Sequence, residues 1–291
     1  MLETSTNSVT SIGSYAFSRC SLTSITIPDS VTSFGNLAFS ECLNMTSFYG
    51  KFASEDNCCL IVDGVLYSFA VSCDLTEYTI PNGVTEIGKK AFYSGYFLTN
   101  VTIPDSVTLI ENSAFFNCIS LTSVTIPDSV TSIRNAAFRK CCSLTSVTIG
   151  NSVTSIGDSV FSECSNLASV TIGNNVSSIG KNAFNSCSSL TSITIPNSVA
   201  SIGGYAFSSC SSLTSVTIPD NVTSIGQAAF NKCSSLMYVY CKPTTPPAGG
   251  SNMFNSNASG RKIYVPTASV EAYKAATYWK SYASDIEGYD F

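Results

Sequence analysis

Thirteen cysteines are the first candidates for chemistry in this chain, and there is no histidine to assist them. Eight of them, Cys20, Cys42, Cys118, Cys141, Cys164, Cys187, Cys210 and Cys233, fall on one position of a recurring pattern. Metal binding needs ligands that converge on a point, and a line of equivalent thiols does not converge. Parallel Cβ vectors likewise oppose disulfides between neighbours in the line. A small apolar side chain filling the same core corner again and again is the simpler reading. Cys58, Cys59 and Cys73 stand outside the pattern, and a local bridge among them is open if the chain is exported. Asp105 and Asp128 recur 23 residues apart and could mimic paired carboxylates. Yet Asn197 and the pair Gly150, Asn151 fill the same slot elsewhere, which marks it as a turn position. Serine is abundant, but it has neither a histidine base nor a G-x-S-x-G elbow to activate it. No catalysis, no cofactor and no metal is expected.

The elements that position these residues follow from self-similarity. Pro81, Pro104, Pro127, Gly150, Gly173, Pro196 and Pro219 succeed one another at steps of 23. In the unit from Pro127 the apolar positions are Val130, Ile133, Ala137, Phe138, Cys141, Leu144, Val147 and Ile149. Val147 and Ile149 alternate with Thr148, which is strand spacing, and Val130 to Ile133 forms a second extended piece. The Ala-Phe segment between them reads as one helical or 3-10 turn. A single unit cannot bury its apolar face, whereas stacked units share one continuous core. Ten or so coils at strand spacing give a body about 50 Å long. Charged residues make up only 11% and the net charge is −5, so no basic stripe offers itself to nucleic acid. No apolar run approaches the ~18 residues that insert into a bilayer.

The stretch IPNSVASIGGYAFSSCSSL, from Ile195 to Leu213, carries the pattern in full. It resembles the BspA-like leucine-rich repeat family, and the resemblance covers Thr6 to about Cys241. It implies a mainly β repeat solenoid, curved and right-handed, with parallel sheets. It also implies a secreted or surface protein of a host-associated bacterium, of the adhesion type, that binds a host or microbial protein or glycan without catalysing a reaction. The location implied is extracellular or at the cell surface. The alternative reading is a structural spacer that only presents its ends. Columns of Ser and Thr beside the inward Val residues, such as Ser123 with Thr125 and Ser146 with Thr148, also resemble ice-binding arrays. Solvation of a parallel sheet accounts for them, and a curved leucine-rich sheet does not match a flat ice plane, which leaves ice binding a remote alternative. A monomer is expected.

The departures from the repeat carry the rest. Residues 1–241 read as the solenoid, interrupted at about 51–80 by an insertion, since Pro28 and Pro81 lie 53 residues apart. Within it Asp63-Gly64, between Leu60–Val62 and Val65–Tyr67, is a two-residue hairpin signal. The same hairpin is implied by the family resemblance. Gly95 replaces the repeated Cys, and Glu111 and Arg134 replace Gly one coil apart, where an ion pair is expected. Tyr49, Tyr67, Tyr93, Tyr96 and Phe97 concentrate here and form the candidate binding patch, because aromatics dominate interface hot spots and excursions from rigid scaffolds host recognition. The rival reading is that these rings only fill a wider coil. Residues 242–291 read as a final irregular coil, a strand at 261–266 and a capping helix over 267–283, with Tyr273, Tyr278 and Trp279 covering the last core face. The first ten residues show no leader and no matching N-terminal cap, so two readings stay open: the chain stays inside the cell, or Met1 is an artificial start and a leader or upstream segment was trimmed.

Overall fold

The computed structural model describes residues 9–291. The opening of the first unit at Thr6, with the question of an N-terminal cap, lies outside the described residues. The chain winds into a mainly β parallel solenoid of about 12 turns. The insertion and the C-terminal segment both supply strands to the walls.

Each regular coil has three sides. The first is a two-residue strand such as Ser132–Ile133, and these pair in parallel with their equivalents one coil away. Together with the hairpin they make a ten-stranded sheet. The second side is the Ser-Val-Thr-Ile strand, as in Ser123–Ile126 against Ser146–Ile149, where Val124 pairs with Val147. Alternation puts Val and Ile in the core and Ser and Thr in water, because successive side chains point to opposite faces. This second wall comprises sheets of two, five and four strands.

The third side holds the Ala-Phe segment, and here the structure is more specific than a single helical turn. Ala114, Phe116 and Cys118 donate backbone bonds to the carbonyls of Glu111, Ser113 and Phe115, the i to i+3 spacing of a 3-10 turn. Ser113 and Asn117, however, lie at φ of 57° and 64°, so no helix propagates. The intervening amides of Ser113, Phe115 and Asn117 turn outward along the axis and donate to Asn135, Ala137 and Arg139 of the next coil. Two left-handed residues per coil are the conformational cost of that alternation, offset by pairing amides that a buried wall cannot leave bare.

The core runs inside these walls as two columns. Phe92, Phe115, Phe138, Phe161, Phe184, Phe207, Phe230 and Phe254 stack ring on ring, with centroids 4.7 to 5.5 Å apart and planes within 13°. Beside them runs the thiol ladder. Its cysteines are free and, apart from the half-buried Cys20, buried. The ladder thiols bond to backbone: Cys118, Cys164, Cys187 and Cys210 donate to the carbonyl of the Phe in the preceding coil at 3.1 to 3.2 Å. Burial pushes the Cys118 and Cys233 thiols up to about 12. At Gly95 the ladder has a gap, and an added Cβ would lie 3.5 Å from Cys118 Sγ.

The hairpin forms where expected, Cys59–Val62 antiparallel to Val65–Phe69, with Asp63 and Gly64 at φ of 49° and 78° as a type I′ turn requires. Its second strand then joins the ten-stranded sheet in parallel through Val65 and Leu66. Two expectations are corrected. The helix over 267–283 is instead three short pieces: a 3-10 turn Thr267–Ser269, an α-helix Val270–Ala275 and a 3-10 segment Trp279–Asp285. Ala276 is extended and Tyr278 left-handed, which folds the chain back so that Trp279 reaches the last core ring. Trp279 and Tyr273 are buried there, whereas Tyr278 points to solvent. The second correction is the ion pair. Glu111 instead accepts from the backbone and side chain of its neighbour Asn112, at 3.0 and 2.8 Å, and Arg134 joins no salt bridge among the described residues.

Candidate binding site

The sequence-derived aromatic residues do not gather into one patch. Tyr49 is exposed on the strand Ser47–Tyr49 of the second wall. Tyr67 lies on the opposite wall, half-buried, 5.7 Å from Phe34. Phe48 and Phe69 are core. Tyr93, Tyr96 and Phe97 do share one turn segment. Tyr93 stacks on Phe116 at 5.1 Å and 6°, and Lys90 sits 5.0 Å from its ring centroid. Arg139 and Lys140 approach Phe116 from the next coil, each at 5.8 Å.

Ion pairs extend this arrangement along the axis. Glu41 binds Arg19 at 2.9 Å and Lys90 at 2.6 Å, and Glu163 binds Arg139 at 2.5 Å. Burial pushes the Glu41 carboxyl up, but the hydrogen bonds from Lys90 and Arg19 outweigh it and hold the group below its ordinary value. Below this stripe Tyr96, Phe97 and Ile119 stand exposed, Phe97 at 61%. Tyr96 Oη accepts from Asn117 at 3.3 Å, which fixes the ring.

A groove of about 330 Å³ opens at the shoulder of the hairpin, lined by Asn36, Leu37, Val65, Tyr67, Glu86, Gly88, Lys89 and Glu111. Burial, then the charge of Glu111, raises the Glu86 carboxyl. The groove holds carboxylates and a lysine but no nucleophile activated by a base. Among the described residues no group of three or more His, Cys, Asp or Glu is placed to hold a metal. The turn aspartates are structural: Asp128 accepts from Asn151 N of the next coil at 2.6 Å, and Asp158 from Lys181 N at 2.7 Å.

The largest exposed aromatic cluster is one that sequence reasoning missed. The final four-stranded sheet orders Ser215–Ile218, Tyr238–Cys241, Lys262–Pro266 and Ile286–Tyr289 side by side in parallel. Its inward column reads Val216, Val239, Ile263, Ile286. The outward column that begins at Thr217 reads Tyr240, Tyr264, Glu287, and Tyr238 replaces Ser215 in the column beside it. Tyrosine thus takes the outward positions that Ser and Thr hold in the regular coils. Tyr240 and Tyr264 stack at 5.3 Å and 23°, and Tyr238 lies 6.4 Å from Tyr264. Tyr289 meets both Tyr240 and Tyr264 edge-on or tilted, at 5.7 and 5.4 Å, and Phe291 extends the row at 5.1 Å. Tyr238, Tyr289 and Phe291 are 43 to 50% exposed. The signal was present in the alternation Tyr238-Val239-Tyr240, which sends both rings to the face opposite Val239.

Arg261 holds this end together. It is nearly buried, pairs with Asp285, bonds the Phe254 carbonyl and Asn257, and lies 5.1 Å from the Tyr282 ring centroid. Trp279 Nε1 donates to Pro247 O at 2.8 Å while its ring packs 5.9 Å from Phe254.

A parallel repeat solenoid with Phe and thiol columns inside and Ser/Thr faces outside defines a leucine-rich-repeat protein. The profile of the BspA type leucine rich repeat region matches in six copies over residues 3–55, 66–191 and 154–283, and the chain belongs to that family. It is similar in structure to a leucine-rich repeat protein from Bacteroides ovatus, at 26% identity and a TM-score of 0.71, covering 97% of this chain and 70% of that one. It is also similar to one from Eubacterium ventriosum, at 25% identity and a TM-score of 0.69; the match covers 85% of this chain and 62%, under two thirds, of that relative. The pneumococcal vaccine antigen PcpA, at 16% identity and a TM-score of 0.52 over 96% of this chain and 69% of that one, shares the fold. No functionally curated protein matches the sequence. No helix among the described residues is long and apolar enough to cross a membrane.

Proposed function

We propose that this protein is a non-catalytic recognition protein of the adhesion type, displayed outside the cell of a host-associated bacterium, that binds a host or microbial protein or glycan through the tyrosine face of its last coils. Leucine-rich-repeat proteins of this family typically mediate binding. The observation that carries the reading is the exchange of outward Ser and Thr for Tyr238, Tyr240 and Tyr264 on the final sheet, with Tyr289 packed against Tyr240 and Tyr264. Tyrosine offers a large apolar face and a hydroxyl at little conformational cost, and exposed aromatic clusters on a rigid scaffold mark interaction surfaces. Neighbouring rings hold one another, so little further ordering is needed on binding. The Ser/Thr coils between then act as a spacer, and the protein works as a monomer.

A second site is favoured by the exposure of Tyr96 and Phe97 beside the Tyr93–Phe116 stack. A glycan array and a pull-down on host matrix proteins, run with wild type and two double variants, separate the readings. Loss of the captured ligand in Tyr240→Ser/Tyr264→Ser at unchanged melting temperature supports the terminal face. Loss in Tyr93→Ala/Tyr96→Ala alone moves the site to the insertion side. Undiminished binding in both variants sinks both placements.

A further inference from the structure

Cys58 and Cys73 behave unlike the ladder. Cys58 immediately precedes the first hairpin strand, Cys59–Val62, and Cys73 follows the second, Val65–Phe69. Both are tied to Ala70: its amide donates to Cys58 O at 2.8 Å, and its carbonyl accepts from Cys73 N at 2.9 Å. Cys58 Sγ approaches Asp56 O at 3.5 Å, and the Cys73 thiol is close enough to act on it electrostatically. Ladder thiols, by contrast, are engaged with a Phe carbonyl at every position but Cys20. The third cysteine of the insertion, Cys59, is fully buried and sits 3.1 Å from the Tyr78 hydroxyl, away from exchange.

We propose that Cys58 and Cys73 are a disulfide-forming pair that clasps the base of the hairpin insertion, closed by exchange with a disulfide-bearing oxidant of the oxidised-glutathione class. One protein thiolate attacks a sulfur of the oxidant, forming a mixed disulfide and releasing one thiol. The second protein thiolate attacks the protein sulfur of that mixed disulfide, the Cys58–Cys73 bond forms, and the second thiol leaves. The two protein thiols give up two protons and two electrons, and the oxidant is reduced to two thiols that take both. Burial pushes the Cys58 thiol up to about 12 and raises Cys73 as well. The packed pair is therefore a slow nucleophile, and closure belongs to folding, before the insertion seals. The gain falls where the solenoid needs it. The hairpin departs from the repeat, so one of its flanks lacks the full set of coil-to-coil contacts, and a bridge between residues 58 and 73 removes unfolded-state freedom there.

The test is to refold the chain in reduced and oxidised glutathione, quench in acid, and map the unreduced protein. Chymotrypsin cleaves after Tyr67 and separates the two cysteines unless they are bridged. The expected result is a linked peptide pair in wild type and in Cys59→Ser, absent from Cys58→Ser, with an intact mass lower by two hydrogens. Reduction should then lower the melting temperature by several degrees. Alkylation of both Cys58 and Cys73 after oxidative refolding overturns the proposal, as does a bridge that survives in Cys58→Ser. The mapping of wild type and Cys59→Ser stands even if a Cys58 variant fails to fold.

Discussion

Replacing Phe161 by alanine tests whether the ring column holds the coils together. Phe161 is fully buried and stacks on Phe138 at 5.5 Å and on Phe184 at 5.4 Å. Truncating a buried Phe costs about 3–5 kcal/mol in transfer and cavity terms. Two lost ring pairs add about 0.5–1.5 kcal/mol each. The total is about 4–8 kcal/mol, a large share of the ~5–15 kcal/mol that folded domains have. Phe161→Leu keeps most of the volume and should cost about 1–2 kcal/mol. The assay is urea unfolding followed by two signals. Far-ultraviolet circular dichroism reports every coil, while fluorescence reports Trp279, the sole tryptophan, at the C-terminal end. Because each coil touches only its neighbours, a weakened middle coil should uncouple the two ends. In wild type the two transitions should coincide, and in Phe161→Ala they should separate. A cost under about 1 kcal/mol, no more than a surface serine change, would refute the assignment of stability to the stack. A large cost with coincident transitions would refute the nearest-neighbour transmission.

Three further outcomes are expected. A thiol reagent added to native, reduced protein should label the half-buried Cys20 and Cys142 first, with the rest of the ladder reacting only in denaturant; rapid labelling of Cys141 or Cys187 would contradict their burial and raised thiols. Glu86→Gln should stabilise the protein at neutral pH. The folded-state carboxyl is raised above its ordinary 4.5, so its ionisation disfavours the folded state as pH rises from that value through the folded one. The gain should vanish below pH 4.5, and an equal gain at acid pH would show packing at work instead. Arg261→Ala should lower stability by about 2–3 kcal/mol, less than a fully buried pair because Asp285 is partly solvated. Calorimetry showing an unchanged melting temperature would make the buried guanidinium dispensable to the cap.

The repeat was legible because its residues recur at identical spacing, and one coil then dictates the next. Pro104, Phe115, Cys118 and Leu121 occupy equivalent places to Pro127, Phe138, Cys141 and Leu144, and the hydrogen-bond register follows. The hairpin was legible because Asp63-Gly64 meets the demand of a type I′ turn for two positive φ values. The left-handed residues of the third wall were not, since their types range from Ser113 and Lys140 to Ala136 and Tyr205. Contacts between coils impose that conformation, and no local propensity announces it. The broken C-terminal helix has the same origin: helix-forming residues yield to the pull of Trp279 toward Phe254 and Pro247. The tyrosine face escaped notice because its rings belong to strands 24 residues apart, Tyr240 and Tyr264, and only the sheet register brings them together.

The stacked Phe rings and the matching registers also govern how such a chain can change length. Between Pro104 and Pro219 every coil presents its neighbours above and below with nearly the same surfaces. Excising 23 consecutive residues there, for example 151–173, joins two ends that already fit, with Gly150 now leading into Asn174 as it once led into Asn151. Duplication of a unit is accommodated for the same reason. A long increment is expelled from the wall, as the hairpin is, and a single residue more or less is taken up in a turn, as in the 22-residue step from Ser11 to Ser33 and the 24-residue step from Tyr240 to Tyr264, because a slip within a strand moves its inward residues toward water. Gain or loss of whole units therefore resets the separation between the Tyr96–Phe97 surface and the terminal tyrosine face one coil at a time without redesigning either.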